Sequence, residues 1–312
     1  MRTRWTAPLD ARRIPPTADT TTATAQQVRQ LAAGLAAAGD SRVPLLMFDA
    51  GYDPIGLSHE LANDELAVLV RIRDDRVFYT DPPQPAPGSL GRPRRHGRRF
   101  TCSQPDTWHQ PDQRLVLDDP VYGTVKVACW SGLHPKLARR GRWASHDPAP
   151  IIRGTIIRIQ VQHLPKPTGR ATKTLWLWWS GPGRPDLELC LRAYLRRFDI
   201  EHTYRFAKNT LGWTTPRICS PEQADRWTRL IIAAYTQLRL ARGLVDDDRL
   251  PWEKPREPDK LTPARIRRGF HRVVAHLPTP ARPPKSDRPG PGRPKGTKTG
   301  PRTRHPAIKK TA

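Results

Sequence analysis

Apolar residues fall into two patterns along this chain, helical spacing in some stretches and short unbroken runs in others. In 24–38, Val28, Leu31 and Leu35 share one face and Gly39 follows, which predicts a helix with a glycine stop. Pro44 to Phe48 is continuously apolar and ends at Asp49-Ala50-Gly51-Tyr52-Asp53. That is the pattern of a buried central strand running out into a loop. Residues 54–61 fit a short helix and 66–73 a second buried strand, so strand, helix and strand predict a parallel βαβ unit. Ahead of these, Trp5 to Ile14 reads as strand-like and is broken by Pro15-Pro16.

The pattern changes between 76 and 170. Short β-like runs (114–117, 123–130 and 151–163) alternate with turns rich in Pro, Gly and Asp, predicting a β-rich insertion. Residues 173–180, with Trp176, Trp178 and Trp179, return to the buried-strand pattern and lead into a long helix over 186–208. Ser220-Pro221-Glu222-Gln223 is a capping box with proline at the first helical position. The helix it opens runs to Gly243 with Trp227, Ile231, Ala234, Leu238 and Ala241 inward. Thr262-Pro263 opens another, with Ile266, Phe270, Val273, Val274 and Leu277 inward. Residues 278–312 carry nine prolines among Gly, Lys and Arg, the composition of a disordered tail.

Charge adds a partner class. The 312 residues carry 54 Lys and Arg against 29 Asp and Glu, a net +25. Residues 1–75 hold 8 basic and 10 acidic side chains; 76–185 hold 18 and 6; 186–277 hold 18 and 12; 278–312 hold 10 and 1. Two blocks this lopsided point to a polyanion, most simply nucleic acid. No run reaches the roughly 18 apolar residues of a membrane span, and no apolar stretch follows Arg2 and Arg4 as in a secretory signal. Cys102, Cys129, Cys190 and Cys219 are far apart with no CxxC pair, and the ten histidines show no ligand spacing. Neither a disulfide framework nor a zinc site is expected.

The candidate chemistry lies on the 186–208 helix. With Glu201 at zero on a wheel of about 100° per residue, Tyr194 falls near +20°, Arg197 near −40° and Lys208 near −20°. Leu187, Leu191, Leu195, Phe198 and Phe206 fall between roughly +40° and +140° beside that stripe. A carboxylate flanked by cations suits a metal ion held against a phosphate backbone. The same residues also suit an amphipathic helix with an Arg197–Glu201 ion pair at i, i+4. The wheel does not choose between them. His202, near +100°, reads as a packed core histidine.

Tyr194, Arg197, Glu201 and Lys208 reproduce a Tyr-(2)-Arg-(3)-Glu-(6)-Lys pattern, and Phe48-Asp49-Ala50-Gly51-Tyr52 places an acid at the end of an apolar strand. On these residues the chain resembles the bacterial DDE-class insertion-sequence transposases. The segments 250–253, 261–270 and 291–296 look like the C-terminal part of such proteins. The resemblance implies an α/β, ribonuclease H-like fold and DNA transposition by strand cleavage and strand transfer. It implies a two-ion Mg²⁺ (or Mn²⁺) site with Asp49 as second acid and Glu201 as third, and DNA contacts from Tyr194, Arg197 and Lys208. It further implies a bacterial cytoplasmic, nucleoid-associated protein that acts on transposon ends and target DNA, as a homodimer or with full-length transposase, and away from membranes. The expected organisation is a first part of the core over 1–75, the basic insertion over 76–170, the last core strand and Glu helix over 171–215, C-terminal helices over 216–277 and the tail over 278–312. The family's first Asp lies on an earlier strand, so the core is expected to be incomplete at its N-terminal strands. Asp10 is the early aspartate that could stand in for it, although a turn cap explains it more simply.

Three further features carry alternatives, and so does the function. Gly292-Arg293-Pro294-Lys295-Gly296 resembles an AT-hook core, with Arg293 and Lys295 in a minor groove, and equally fits a basic tail on phosphates. Asp53 before Pro54 reads as a helix cap, with a secondary carboxylate near the metal as the alternative. The three tryptophans of 173–180 read as sheet core, with base stacking as the alternative. A catalytically dead DNA-binding relic or regulator is the competing function. RNA binding fits the Glu201 stripe less well.

Overall fold

The computed structural model describes residues 5–85, 91, 93–164 and 173–274. Among them the chain forms a mixed α/β structure around one six-stranded sheet and one two-stranded ribbon. Helix α1 (Thr20–Ala37) starts earlier than the apolar spacing predicts, because Asp19 caps it by accepting from the Thr22 amide at 2.9 Å. That amide and the Thr22 hydroxyl hold the Asp19 carboxyl below its usual range. Strand β1 (Leu45–Phe48), helix α2 (Pro54–Glu60) and strand β2 (Ala67–Ile72) form the expected βαβ unit, with Leu45 opposite Ala67 and Phe48 opposite Val70 in parallel register. Asp53 caps α2 through the Ile55 amide, with Pro54 in the first turn.

After the ribbon of β3 (Val77–Tyr79) and β4 (Arg99–Thr101), the chain builds an antiparallel meander. Its strands are β5 (Gln113–Asp119), β6 (Gly123–Leu133), β7 (Gly154–Val161) and β8 (Thr174–Ser180). Strand β8 then lies antiparallel on β2, giving the order β1-β2-β8-β7-β6-β5. Two expectations change here. The β-rich block continues the sheet of the βαβ unit, so the sheet is mixed rather than parallel. β1 is an edge strand, half-buried at all four positions. Its unbroken apolar run reflects cover on both faces: Leu46 and Phe48 meet α1 and α2, while Leu45 and Met47 meet the opposite cluster. Hydrophobic patterning reports which faces are covered and is blind to lateral neighbours.

Strand β8 alternates its tryptophans between the faces. Trp176 and Trp178 join Phe78, Phe100, Trp130 and Ile156 on one side. Trp179 joins Leu69, Val127 and Ile157 on the other, under helix α3 (Leu187–Asn209). All three are buried, Trp178 completely. At about 25 cal/mol per Å² over 150–250 Å², such a ring contributes up to about 4–6 kcal/mol of transfer free energy. Its indole N–H donates to Ser58 Oγ at 2.8 Å, and Ser58 also bonds Ser180 at 2.7 Å, tying α2 to β8. Gly154 admits the ring edge: a Cβ there would lie 2.3 Å from Trp178. Cys102, Cys129 and Cys190 are buried, and burial pushes their thiols up to about 12, 11 and 12; Cys219 is exposed.

Helices α4 (Pro221–Leu240) and α5 (Pro263–Val274) form a further cluster with Tyr235, Leu238, Leu261 and Ile266. Ser220 caps α4 through the Gln223 amide, as the capping box predicts. The 5–14 segment, strand-like in its pattern, forms no strand; its polar groups bond side chains and a loop carbonyl instead of a ladder. Trp5 enters the α4–α5 cluster and donates to the Leu261 carbonyl at 2.8 Å, while the Thr6 hydroxyl meets that of Thr203 on α3 at the same distance. Leu277 and the 278–312 tail lie outside the described residues.

His134 is fully buried and meets His96 ring to ring, Nε2 to Nδ1, at 3.0 Å. Burial lowers the pKa of both; for His96 the Arg95 and Lys136 charges add to it, and for His134 the His96 and Arg153 charges outweigh part of the opposing pull of Asp81. Below about pH 6.5 the unfolded chain therefore binds more protons at these sites than the folded one, and stability falls with acidification. The melting temperature should drop between pH 7.5 and 5.5, and drop less in His96→Gln. In a separate test, Gly154→Ala should destabilise the fold by about 1–3 kcal/mol through overpacking against Trp178. An unchanged denaturant midpoint would contradict that.

Candidate active site

Asp49 is the first residue beyond β1. The chain turns at once, with the Tyr52 amide donating to the Asp49 carbonyl at 3.1 Å and the Ala50 amide to Asp49 Oδ1 at 2.8 Å. The turn fixes the carboxylate at the end of the sheet, where its side chain is 59% exposed. Arg197 reaches it from α3: Nη1 donates to Oδ1 at 2.7 Å. The Arg197 side chain is only 13% exposed, its guanidinium lies 5.2 Å from the Tyr194 ring centre and 5.0 Å from that of Phe198, and its Nε has no partner in the described structure.

One wheel does not serve the whole of α3, because the buried face rotates along it. In the first half Leu187, Cys190, Leu191 and Tyr194 rest on the sheet. In the second half Thr203 and Ala207 are buried, and Phe206 packs on the α4–α5 cluster. The stripe of four signature residues is therefore split. Tyr194 is 6% exposed and packs in the core beside Arg197, whereas Glu201 and Lys208 are exposed. Phe198, placed inward by the wheel, is 43% exposed. His202 is half-buried on the same helix.

The Glu201 carboxylate makes no hydrogen bond or ion pair with any described residue, so the intrahelical Arg197–Glu201 pair does not form. Arg197 turns to Asp49 instead, one helical turn (about 6 Å of rise) before Glu201. Lys208 likewise has no anionic partner among the described residues. Two tyrosines border this region, Tyr52 of the turn after β1 and Tyr204, which the motif does not include. Burial and the neighbouring Tyr52 raise the Tyr204 phenol pKa, and Tyr52 packs on Phe48 at 4.9 Å between ring centres. Tyr204, three residues after Glu201, falls near −60° on the same wheel, which is the signal that could have found it.

Two exposed carboxylates are hard oxygen donors of the kind Mg²⁺ takes together with waters and substrate phosphates. No group of three or more His, Cys, Asp or Glu side chains is placed to share an ion among the described residues. The Arg197 guanidinium also competes for Asp49. The donor chemistry fits a divalent ion completed by substrate oxygens, provided that Arg197 yields Oδ1. Asp10 accepts from Gln27 of α1 at 2.9 Å, away from these groups in its bonding. Arg293 and Lys295 lie outside the described residues.

Residues 1–136 match the family model described as DDE superfamily endonuclease. The match includes Asp49 and stops short of α3, so Glu201 stands on its own motif and geometry. It supports a DDE-type transposase or nuclease function in general terms. No curated protein matches the chain. No helix among the described residues is long and apolar enough to cross a membrane.

The Asp49–Arg197 pair can be measured by a double-mutant cycle with Asp49→Asn and Arg197→Gln in urea unfolding. A part-exposed pair of this kind should show a coupling of about 1 kcal/mol. A coupling of zero would mean that the two side chains are independent in solution.

Proposed function

We propose that this chain is the core of a DDE-type transposase, ribonuclease H-like in fold, that cleaves and joins DNA with the help of divalent metal. The single observation that carries the reading is the 2.7 Å contact of Asp49 with Arg197, one turn before the unpartnered Glu201. The match of residues 1–136 to a DDE endonuclease family supports DNA as substrate.

In this reading Asp49 and Glu201 would hold Mg²⁺ or Mn²⁺ together with oxygens of the substrate. The ion, when bound, supplies activation of the attacking hydroxyl and stabilisation of the leaving oxygen. Arg197 presents a planar fork that suits a phosphate as well as a carboxylate, so an arriving strand competes with Asp49 for it. Transfer of that guanidinium to a phosphate frees Oδ1 as a ligand. Tyr194 acts from the core, holding Arg197 in place beneath the strand. Lys208, two turns beyond Glu201, takes a further phosphate, and Arg293 and Lys295 of the tail grip the duplex in its minor groove or along its backbone. The protein acts in the bacterial cytoplasm on the ends of an insertion sequence, as a homodimer or alongside full-length transposase.

The same ion pair favours a second reading, a DNA-binding relic in which Arg197 holds Asp49 permanently. Cleavage of transposon-end DNA with Mg²⁺ or Mn²⁺ separates the two. On the enzyme reading, Glu201→Gln and Asp49→Asn each lower the rate at least about 10²-fold while DNA affinity stays within a few-fold. Tight binding by the wild type with no cleavage in either ion would leave the relic.

A further inference from the structure

The outer face of the meander, opposite α3, carries a groove of about 560 Å³ whose lining includes Trp108, Arg114, Lys126, Ala128 and Arg158 and no carboxylate. The register explains how it forms. Arg114 on β5 and Arg158 on β7 both pair with Ala128 on β6, so two arginines flank one methyl group across three strands. Strands about 4.8 Å apart put their backbones roughly 10 Å from one another. Lys126 sits one pleat further along the same face of β6, opposite Val116 and Gln160. The small floor and the tall rims make the groove.

Its charge is unbalanced. Arg158 lies 4.7 Å over the Trp108 ring, which fixes its guanidinium, and its Nε is buried without a partner in the described structure. Burial and the nearby Arg114 charge both lower its pKa. No carboxylate among the described residues forms an ion pair with Arg114, Lys126 or Arg158. Arg158 is half-buried, while Arg114 and Lys126 beside it are exposed and open to a ligand. Two other cations drawn into this fold have acids, Arg142 meeting Asp19 and Arg265 meeting Asp247, and at Arg158 an external anion can take that place. Per-strand phosphates rise about 3.4 Å along a duplex, so cations spread over roughly 10 Å match a few successive phosphates of one strand.

We propose that this groove is a second DNA-contact surface, in which Arg114, Lys126 and Arg158 hold the phosphodiester backbone of one strand independently of the Asp49–Glu201 region. The two lie toward opposite edges of the six-stranded sheet, about 20 Å apart, so the groove positions DNA and takes no part in the bond-breaking step. It rests on the reading that the chain acts on DNA, but not on the chain being catalytically active.

The test is anisotropy with a labelled 20-base-pair duplex of arbitrary sequence over a salt series, using the full chain. Arg114→Gln/Lys126→Gln changes two exposed side chains of the groove and should weaken binding at least about 10-fold at low salt. It should also flatten the slope of log affinity against log salt by about 2, one unit per lost phosphate contact. Arg229→Gln/Arg239→Gln on the exposed side of α4 removes the same charge and should leave the slope at its wild-type value. Unaltered circular dichroism and melting temperature certify the fold, and Arg158→Gln added to the first pair should flatten the slope again. Equal slopes for the groove pair and the α4 pair would overturn the proposal, as would a groove effect seen with single-stranded RNA but not with the duplex. Cleavage lost in Glu201→Gln, or never observed, bears on the catalytic reading alone.

Discussion

The antiparallel pairing of β2 with β8 is the joint on which the molecule depends. It joins segments more than a hundred residues apart, a βαβ unit and a four-strand meander, into one sheet. Strand β8 runs directly into α3, so the same joint sets where the helix bearing Glu201 meets the end of β1. The Trp178–Ser58–Ser180 bonds lock it from the α2 side, and Gly154 leaves room for the ring. Loop closure over such a separation costs conformational entropy that only a well-packed pairing offsets. Three tryptophans in seven residues are how this chain meets the cost.

The second constraint is the change of buried face along α3. A helix lying on one surface for its whole length would either bury Glu201 or expose Tyr194. By leaving the sheet halfway and settling against α4, α3 keeps Tyr194 and Arg197 inside while presenting Glu201 and Lys208. Arg197, drawn inward between Tyr194 and Phe198, has one outlet for its charge, and Asp49 stands there. The pair is thus part of the packing, and under the proposed function it would also stand in the way of an ion at Asp49. A substrate phosphate would resolve that conflict, since it could satisfy the arginine and bring oxygen ligands at once.

Much of this was legible in the sequence. The strands ending at Phe48 and Ser180, the α2 and α4 caps and the long helix after Asp186 follow from local chemistry, and local chemistry is what a sequence carries. Lateral order in the sheet is set by pairings between distant segments, so β1 read as central and proved to be an edge, and the insertion proved to extend the sheet. The Asp19 cap moved the start of α1 into a threonine run that propensity alone does not favour. At the site, the spacing of Tyr194, Arg197, Glu201 and Lys208 was readable, but a single helical wheel assumes one packing partner. It could not reveal that Tyr194 faces the core or that Arg197 prefers Asp49 to Glu201. The groove at Arg114 and Arg158 was invisible for a related reason: those residues are neighbours only through β6.

The burial of three cysteines has a practical consequence. Cys102, Cys129 and Cys190 are kept as thiols by their apolar surroundings and present little thiolate to any electrophile. Cys219 stands exposed just before α4, its amide held by Gln223. A maleimide dye added to the native protein would therefore label one place, ten residues past the end of the helix that carries Glu201. That gives a spectroscopic reporter from the natural sequence, without any engineered residue, for following the helical half of the molecule when DNA is added.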